Sequence, residues 1–271
     1  MTTKVWGVAG FRWFIGVVED RDDPLKAGRV RVRAYGVHDE DKVLVPTSSL
    51  PWAPVLMPGT SASLNGVGVS ATGLLIGSTV VGFFLDGNEI TMPVVFGVLP
   101  GIQDMPGLAA GRPIINKQRL GPEPESPFNA QYPFNKVTTT ESGHVFEVDD
   151  TPNFERIHTY HRSGTYSEID TDGNQVNKIV GNGFEIVEKN KTVFIKGNLN
   201  ITVNEGQVRI ISPSVRIDGA LTVNGETTLN GSLRVSETIV ASKEILGKGV
   251  SLDGHVHSGV AAGSDYSGPP G

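Results

Sequence analysis

Three consecutive six-residue units near the C-terminal end constrain the fold of this chain more than any other feature. They read GALTVN, GETTLN and GSLRVS and begin at Gly219, Gly225 and Gly231. Because successive side chains of a strand point to opposite faces, aliphatic residues at odd positions make one face continuously apolar. Those residues are Val215, Ile217, Leu221, Val223, Leu229, Leu233 and Val235. A unit of six residues cannot bury such a face by itself.

The small number of these units favours assembly of several chains. A left-handed β-helix built from one chain needs about three hexads per coil and several coils, whereas only three clear hexads are present. Their order of aliphatic residue, Asn and Gly also fits that helix poorly. Copies of the same chain could supply the missing apolar partners and pair the open strand edges. We therefore predict a homotrimer with a triangular β-prism.

Residues 12–101 predict a small five-stranded barrel of the OB type. The apolar segments WFIGVVED, GRVRVRAYGVH, LPWAPVLMP, STVVGFFLDG and MPVVFGVLPG are separated by Gly, Pro and Asp turn signals and show no helical period. In the second segment Arg29, Arg31 and Arg33 alternate with valines, which indicates an arginine face that is solvated or meets a protein partner. We expect no nucleic-acid partner, because the chain has a formal charge of −6 and few aromatic residues stand among those arginines.

Together, the strand segments, the hexads and a histidine pair near the end predict an all-β chain: an N-terminal OB-fold barrel followed by an intertwined trimeric β-helix or β-prism with a small metal-bound tip. Its 34 glycines suit short strands and tight turns, and the absence of cysteine excludes disulfides. The predicted domains are an N-terminal segment 1–11, an OB-fold domain 12–101, a proline-rich linker 102–135, a shaft 136–245 and an apex 246–271. No uninterrupted apolar segment indicates a signal peptide or a membrane span, so we expect synthesis in the cytoplasm.

Two histidines in the predicted apex are candidate metal ligands. His255 and His257 are two positions apart, so in an extended segment both side chains leave the same face. Three chains would bring six imidazole nitrogens together on one axis, a suitable octahedral cage for a divalent first-row metal. Spacing alone also allows a pair of exposed histidines in a frayed terminus. The predicted trimer favours the metal site.

The other histidines are weaker candidates. His158 and His161 are three positions apart, with His144 and Glu155 nearby in the sequence. In a strand, positions three apart point to opposite faces, so His158 and His161 cannot chelate one ion together. We interpret these histidines as surface residues of the β-prism.

Several acidic residues are better interpreted as turn or linker residues than as catalytic or calcium-binding groups. Glu123 and Glu125 lie in the proline-rich linker, which lacks the rigid scaffold that a catalytic carboxylate pair requires. Asp149, Asp150 and the segment DTDG at 170–173 faintly suggest calcium, but no twelve-residue binding loop follows them. We therefore predict Asx-type turns at these positions.

Most of the chain resembles the central spike proteins of contractile-tailed bacteriophages. The sequence from FIGVVEDRDDPLKAGRVRV to MPVVFGVLPG resembles their N-terminal OB domain, and SGHVFEVDDTPNFERIHTYH onwards resembles the start of their triple-stranded β-helix. The ending HVHSGV with YSGPPG resembles the metal-bearing apex of the short spikes. That resemblance implies one iron ion per trimer with six histidine ligands, from His255 and His257 of each chain. The site could instead bind another divalent first-row metal.

The resemblance also implies a function. It implies a structural virion protein at the tip of the tail tube, bound to baseplate hub and tail tube proteins, that pierces the host outer membrane during sheath contraction. Some relatives insert a lysozyme domain before the β-helix, but the segment 102–135 is too short for one, so we expect no enzymatic activity and no small-molecule substrate. The alternatives are the spike of a phage-derived bacteriocin or secretion system, and a β-helical adhesin or tail fibre.

Overall fold

The described part of the chain is all-β. A computed structural model describes residues 12–101 and 123–252, and these ranges contain twelve strands and two short 3₁₀ segments but no α-helix. Two compact units are present, Met1–Asn190 and Lys191–Gly271. Within the described ranges, no helix has the length and apolarity needed to cross a membrane. The all-β prediction is confirmed.

The first sheet is the predicted five-stranded barrel. Its strands are β1 (Arg12–Asp20), β2 (Val30–Ala34), β3 (Trp52–Ala53), β4 (Thr79–Phe84) and β5 (Pro93–Val98). They lie in the order β3-β2-β1-β4-β5, and every neighbouring pair is antiparallel. A parallel bridge between Val55 and Val95 then joins the two outer strands, with Leu56 N donating to Val95 O at 2.7 Å. The sheet therefore closes on itself, as an OB barrel requires.

Alternation along these strands fills the barrel with apolar side chains. Large core residues include Phe14, Val80 and Phe84, each at most 4% exposed. The rings of Phe14 and Phe84 have centroids 5.0 Å apart. This core lies entirely within one chain, so the barrel needs no partner to bury its apolar face.

The predicted solvated arginine face of β2 is wrong. Arg33 is buried and its guanidinium donates two hydrogen bonds to Glu19, with nitrogen–oxygen distances of 2.8 and 3.0 Å. Arg29 pairs with buried Asp23, and the guanidinium carbon of Arg31 lies 4.5 Å from the centre of the Trp52 ring. Neighbouring carboxylates and an aromatic ring therefore occupy these arginines within the domain.

A second sheet of five strands follows in the same compact unit. Its strands are β6 (Asn135–Thr139), β7 (Val145–Asp149), β8 (Arg156–Tyr160), β9 (Tyr166–Ile169) and β10 (Gln175–Lys178). They form an antiparallel meander in which each strand pairs with the next along the chain. This part of the predicted shaft is thus a sheet that a single chain completes, because its turns are short enough for neighbouring strands to pair.

Three of the four turns of this meander share one design. They span residues 140–144, 161–165 and 170–174, and in each the first residue's N–H donates to the carbonyl of the fifth. Their fourth residues have positive φ values, which glycine adopts without steric cost; these are Gly143 (88°), Gly164 (95°) and Gly173 (81°). The glycine turn signals in the sequence thus become tight hairpin turns.

Regular structure nearly stops after β10. Across residues 179–245, all of which the structure describes, no strand is present. The next element is a hairpin of β11 (Leu246–Gly247) and β12 (Val250–Ser251), whose two-residue turn has positive φ at Lys248 and Gly249. The triple-stranded β-helix predicted for this part of the chain requires partner strands, and one chain alone does not provide them.

Candidate functional site

The predicted metal ligands lie just beyond the described chain. His255 and His257 fall among residues 253–271, which are outside the described residues. The hairpin β11–β12 ends immediately before them and is joined to the preceding chain by Leu252 N donating to Ile245 O at 2.9 Å. Among residues 12–101 and 123–252 no group of three or more His, Asp or Glu side chains is arranged to hold a metal ion.

The seven aliphatic residues at odd positions in and just before the hexads are all exposed in a single chain. They belong to a longer run of large exposed aliphatic and aromatic side chains that begins at Ile179 and continues to Ile245. Phe184 and Phe194 are each 84% exposed. A single chain therefore leaves this face uncovered, and the segment 179–245 is a candidate assembly surface.

The sheet β6–β10 has charged residues on its enclosed face. Glu147, His158 and Glu168 stand opposite one another on three adjacent strands and are at most 2% exposed. The Arg156 guanidinium, whose side chain is fully buried, lies between the two carboxylates, 2.7 Å from Glu147 and 2.9 Å from Glu168. The Nδ1 atom of His158 is 3.0 Å from Glu168 Oε2. Opposite charges thus pair where solvent is excluded.

This burial corrects the interpretation of the histidines. His158 is an interior residue, not a surface one, and its ring stacks on Tyr166 with centroids 5.4 Å apart. His161 points away from it, as the three-residue spacing predicted, and instead approaches His144 from the adjacent turn, with ring centroids 4.4 Å apart. Alternation alone could not find this pairing, because the two residues meet only through the register of β7 with β8.

Residues 123–134, which the sequence assigned to a linker, cover the enclosed face. Ser126 Oγ donates to Glu168 at 3.0 Å, and the Phe128 ring centre lies 4.7 Å from the Arg156 guanidinium carbon. Glu123 accepts a hydrogen bond from Tyr166 and forms an ion pair with Lys178. We call residues 123–134 the strap. It supplies much of the polar pairing that the enclosed charges need.

The acidic turns behave as predicted. Asp149 Oδ1 accepts hydrogen bonds from the backbone and hydroxyl of Thr151, at 3.0 and 2.6 Å. The Asp170 carboxylate accepts hydrogen bonds from the backbone of Asp172 and from the backbone and side chain of Asn174. The hydrogen bond from the Asn174 side chain is the main reason that the pKa of Asp170 is lowered. Both aspartates organise turns.

The outer face of the barrel carries an exposed aromatic cluster that the sequence did not single out. Trp13 lies edge-on to Phe83 and Phe96, with ring centroids 5.7 and 5.3 Å away. Ile15 and Val98 are also exposed on the strands that carry these rings. Alternation placed these side chains outward, but only the pairing of β1, β4 and β5 brings the rings together.

Two regions of the chain match known protein families. Residues 35–112 match the Gp5 N-terminal OB domain, and residues 249–271 match the GpV Apex motif. Protein Gp5 of Vibrio phage KVP40 is 36% identical over an alignment that covers 73% of this chain and 64% of that protein. The pre-baseplate central spike protein Gp5 of Enterobacteria phage T4 is 50% identical over 95 residues, or 33% of this chain and 16% of that protein.

The chain is thus similar to the Gp5 proteins of two phages, one of which is a pre-baseplate central spike protein. It spans less than two thirds of the length of each of these two Gp5 relatives. The OB match begins just after β2 and includes β3 to β5, so it covers the part of the barrel where the parallel bridge closes the sheet. The Apex match begins at Gly249, in the turn of the hairpin β11–β12, and includes both predicted metal ligands.

Proposed function

We propose that this chain is a structural protein of the phage virion: a homotrimeric spike at the centre of the baseplate that is driven through the host outer membrane. The name of the T4 relative supports the baseplate position. The two matched regions support a barrel at one end of the chain and a spike apex at the other. Both relatives are phage proteins, which favours a phage particle over a bacteriocin or a secretion system.

The uncovered apolar segment 179–245 is the observation that carries this proposal. A chain whose aliphatic residues are exposed over such a length loses about 25 cal/mol for each Å² of apolar surface left in water. Three copies that exchange strands would bury these residues in a shared interior and also pair the backbone groups of the extended segment. A shaft in which every chain contacts the other two would be stiff, which a puncturing device requires.

The barrel is the part that we propose attaches to the baseplate hub and tail tube proteins. Its core is complete within one chain, so its outer surface is available for other proteins. The cluster of Trp13, Phe83 and Phe96 supports this role, because aromatic residues are enriched at protein interfaces. Arg29 and Arg33 are paired with carboxylates inside the domain and are therefore not available to another partner.

A metal ion at the apex would bind the three chain ends together. His255 and His257 lie within the match to the GpV Apex motif, and imidazole is a suitable ligand for iron, zinc and nickel. The donor set therefore fits the iron ion that the resemblance implies. The role of the two side chains is to hold the ends of three chains in one place.

We propose that the spike is mechanical and not enzymatic. Glu123, one of the paired carboxylates, is bound to Lys178 and Tyr166 and so holds the strap on the sheet. Its partner Glu125 is exposed and lies on the strap. Hydrolysis of a glycosidic bond needs two carboxylates on opposite sides of a substrate, and an ion-paired carboxylate is a poor general acid.

Mass and metal content of the purified protein test the proposal. Analytical ultracentrifugation should give three chains per particle, and elemental analysis should give about one metal ion per three chains. The variant His255→Ala/His257→Ala should lose the metal, while His144→Ala/His161→Ala, the other histidine pair, should keep it. A folded monomer contradicts the spike. Trimers purified without chelators that lack metal contradict only the apex site.

A further inference from the structure

The barrel and the sheet β6–β10 meet at an ion pair that lies outside the strands of both. Arg21 directly follows β1 of the barrel, and Glu141 lies 120 positions further along the chain, in the turn between β6 and β7. The guanidinium atoms Nη1 and Nη2 of Arg21 are each 3.0 Å from a different carboxylate oxygen of Glu141. Among the described residues, no strand of the barrel pairs with a strand of the sheet. This ion pair therefore connects two structures that are otherwise hydrogen-bonded separately.

The barrel loop next to Arg21 is held in place by the buried carboxylate of Asp23. This carboxylate accepts hydrogen bonds from the backbone N–H groups of Leu25, Ala27 and Arg29, at 2.8 to 3.2 Å. It also accepts two hydrogen bonds from the Arg29 guanidinium, at 2.6 and 3.0 Å. An aspartate that binds the backbone of its own loop in this way fixes the course of that loop. The position from which Arg21 extends is thus set within the barrel.

The turn that carries Glu141 is fixed as well. Its ends are joined by the backbone of His144, which donates to Thr140 Oγ1 at 3.0 Å. The His144 ring lies against the ring of His161 in the turn between β8 and β9, and His144 Nδ1 accepts a hydrogen bond from the backbone N–H of Arg162 at 3.4 Å. The histidine pair thus ties two neighbouring turns together at this end of the sheet. Arg21 and Glu141 therefore both extend from locally ordered backbone.

The form of this ion pair defines an orientation, whereas its exposure makes it easy to break. A guanidinium that donates to both oxygens of a carboxylate is geometrically specific, because the two planar groups must be aligned. The side chains of Arg21 and Glu141 are 37% and 58% exposed, so water and dissolved salt screen their attraction. Such a contact holds one arrangement of the two structures and can still open and close again.

We infer that Arg21 and Glu141 form a reversible joint that sets the orientation of the barrel on the sheet β6–β10. The barrel keeps one direction while the ion pair is closed and can tilt when the pair is open. Both residues belong to the same chain, so the joint does not depend on the proposed trimer. In the proposed spike, this freedom would let each barrel adjust to its partner protein after the shaft has assembled.

Cross-linking of the full-length protein tests the joint, because the native chain contains no cysteine. Asp22→Cys/Ser142→Cys places thiols beside the ion pair without replacing either member, and a short bismaleimide should join them within one chain. In this background, Arg21→Glu should slow the cross-linking at least about threefold, whereas Arg21→Glu/Glu141→Arg should restore it. Lys26→Glu makes the same charge change in the same loop and should have no effect. Reaction with N-ethylmaleimide corrects each rate for thiol reactivity.

Salt provides a second measurement and separates the joint from the proposed function. Raising the salt from about 0.1 M to 1 M shortens the Debye length from about 10 Å to about 3 Å, so cross-linking should slow while the native ion pair is present and change little in Arg21→Glu. A rate that neither salt nor Arg21→Glu alters would overturn the joint, as would cross-links that form between chains. Neither result would contradict a trimeric spike. A monomer that cross-links as expected would contradict the spike and support the joint.

Discussion

The barrel and the segment 179–245 use the same alternation of side chains but bury it differently. In β2 the valines point into a core that the closed sheet encloses, and Val30 and Val32 are at most 3% exposed. In the hexads, Leu221 and Leu233 alternate in the same way and remain more than 60% exposed. Alternation therefore specifies a face, whereas the length of chain that can fold back on it decides whether one chain or several complete the core.

The sheet β6–β10 is intermediate between these two regions. Short turns let one chain complete its hydrogen bonding, as in the barrel. Its apolar side remains open, as in the hexads, while the strap closes its charged side. The order of regions along the chain is thus a progression from a self-sufficient domain to a segment that depends on partner chains.

The largest expected effect comes from placing charges in the shared interior. The variant Leu221→Asp/Leu233→Asp should abolish the trimer, because burial of unpaired carboxylates costs several kcal/mol each and three copies would repeat the cost. Sedimentation measures the loss of assembly. Of the three tryptophans, Trp13 and Trp52 lie in barrel strands, so the tryptophan fluorescence signal that accompanies barrel unfolding should remain unchanged.

A matched control uses neighbouring even positions. The variant Thr222→Asp/Ser232→Asp introduces the same two negative charges on the other face of the same segment. It should still form trimers. Equal loss of assembly in both variants would contradict the assignment of the odd positions to the interior.

A substitution in the barrel core should lower the stability of the barrel within each chain and should not change the assembly of the chains. Phe84→Ala removes a fully buried ring and should lower the free energy of barrel unfolding by about 3–5 kcal/mol. Urea titration followed by tryptophan fluorescence measures this change, with exposed Leu25→Ala as the control. Dependence of the fluorescence midpoint on protein concentration would show that the barrel is not self-sufficient.

The buried ion pairs should make Arg156 essential to the sheet. Arg156→Met leaves Glu147 and Glu168 without their shared cation, and removal of one partner of a buried pair costs about 3–5 kcal/mol. The melting temperature of the full-length protein should fall, whereas Arg162→Met, in an exposed turn, should leave it unchanged. An unaltered melting temperature for Arg156→Met would mean that the strap and sheet separate easily.

The sequence pattern predicted the strands of the barrel, but it did not predict which polar side chains pair with one another. All five barrel strands could be identified because turn residues bound short apolar segments. The partners of Arg33 and Arg156 could not, because Glu19 and Glu168 reach them through strand register. The sequence also could not show which face of the sheet β6–β10 is enclosed, since that depends on the strap. The roles of His255 and His257 stay predictions from spacing and resemblance, and the match to the GpV Apex motif includes both residues.

The smallest predicted effect is the pH dependence of the barrel. Arg33 donates to Glu19 and is the main cause that lowers the pKa of Glu19 from 4.5 to about 2 in the folded state. A carboxyl group with a depressed folded-state pKa stabilises the fold above its unfolded pKa, and this stabilisation is lost as the pH falls from about 4.5 towards 2. Between pH 7 and pH 3 the loss from this group should be about 2 kcal/mol.

The variant Glu19→Gln isolates that contribution from the other carboxyl groups of the barrel. Its fluorescence-detected unfolding free energy should fall less between pH 7 and pH 3 than that of the wild-type protein. Because Glu19 pairs with Arg33 within one chain, the difference should be the same at every protein concentration. A pH dependence that disappears in dilute protein would instead place Glu19 at a contact between chains, and the barrel would then share the dependence on partners that distinguishes the shaft.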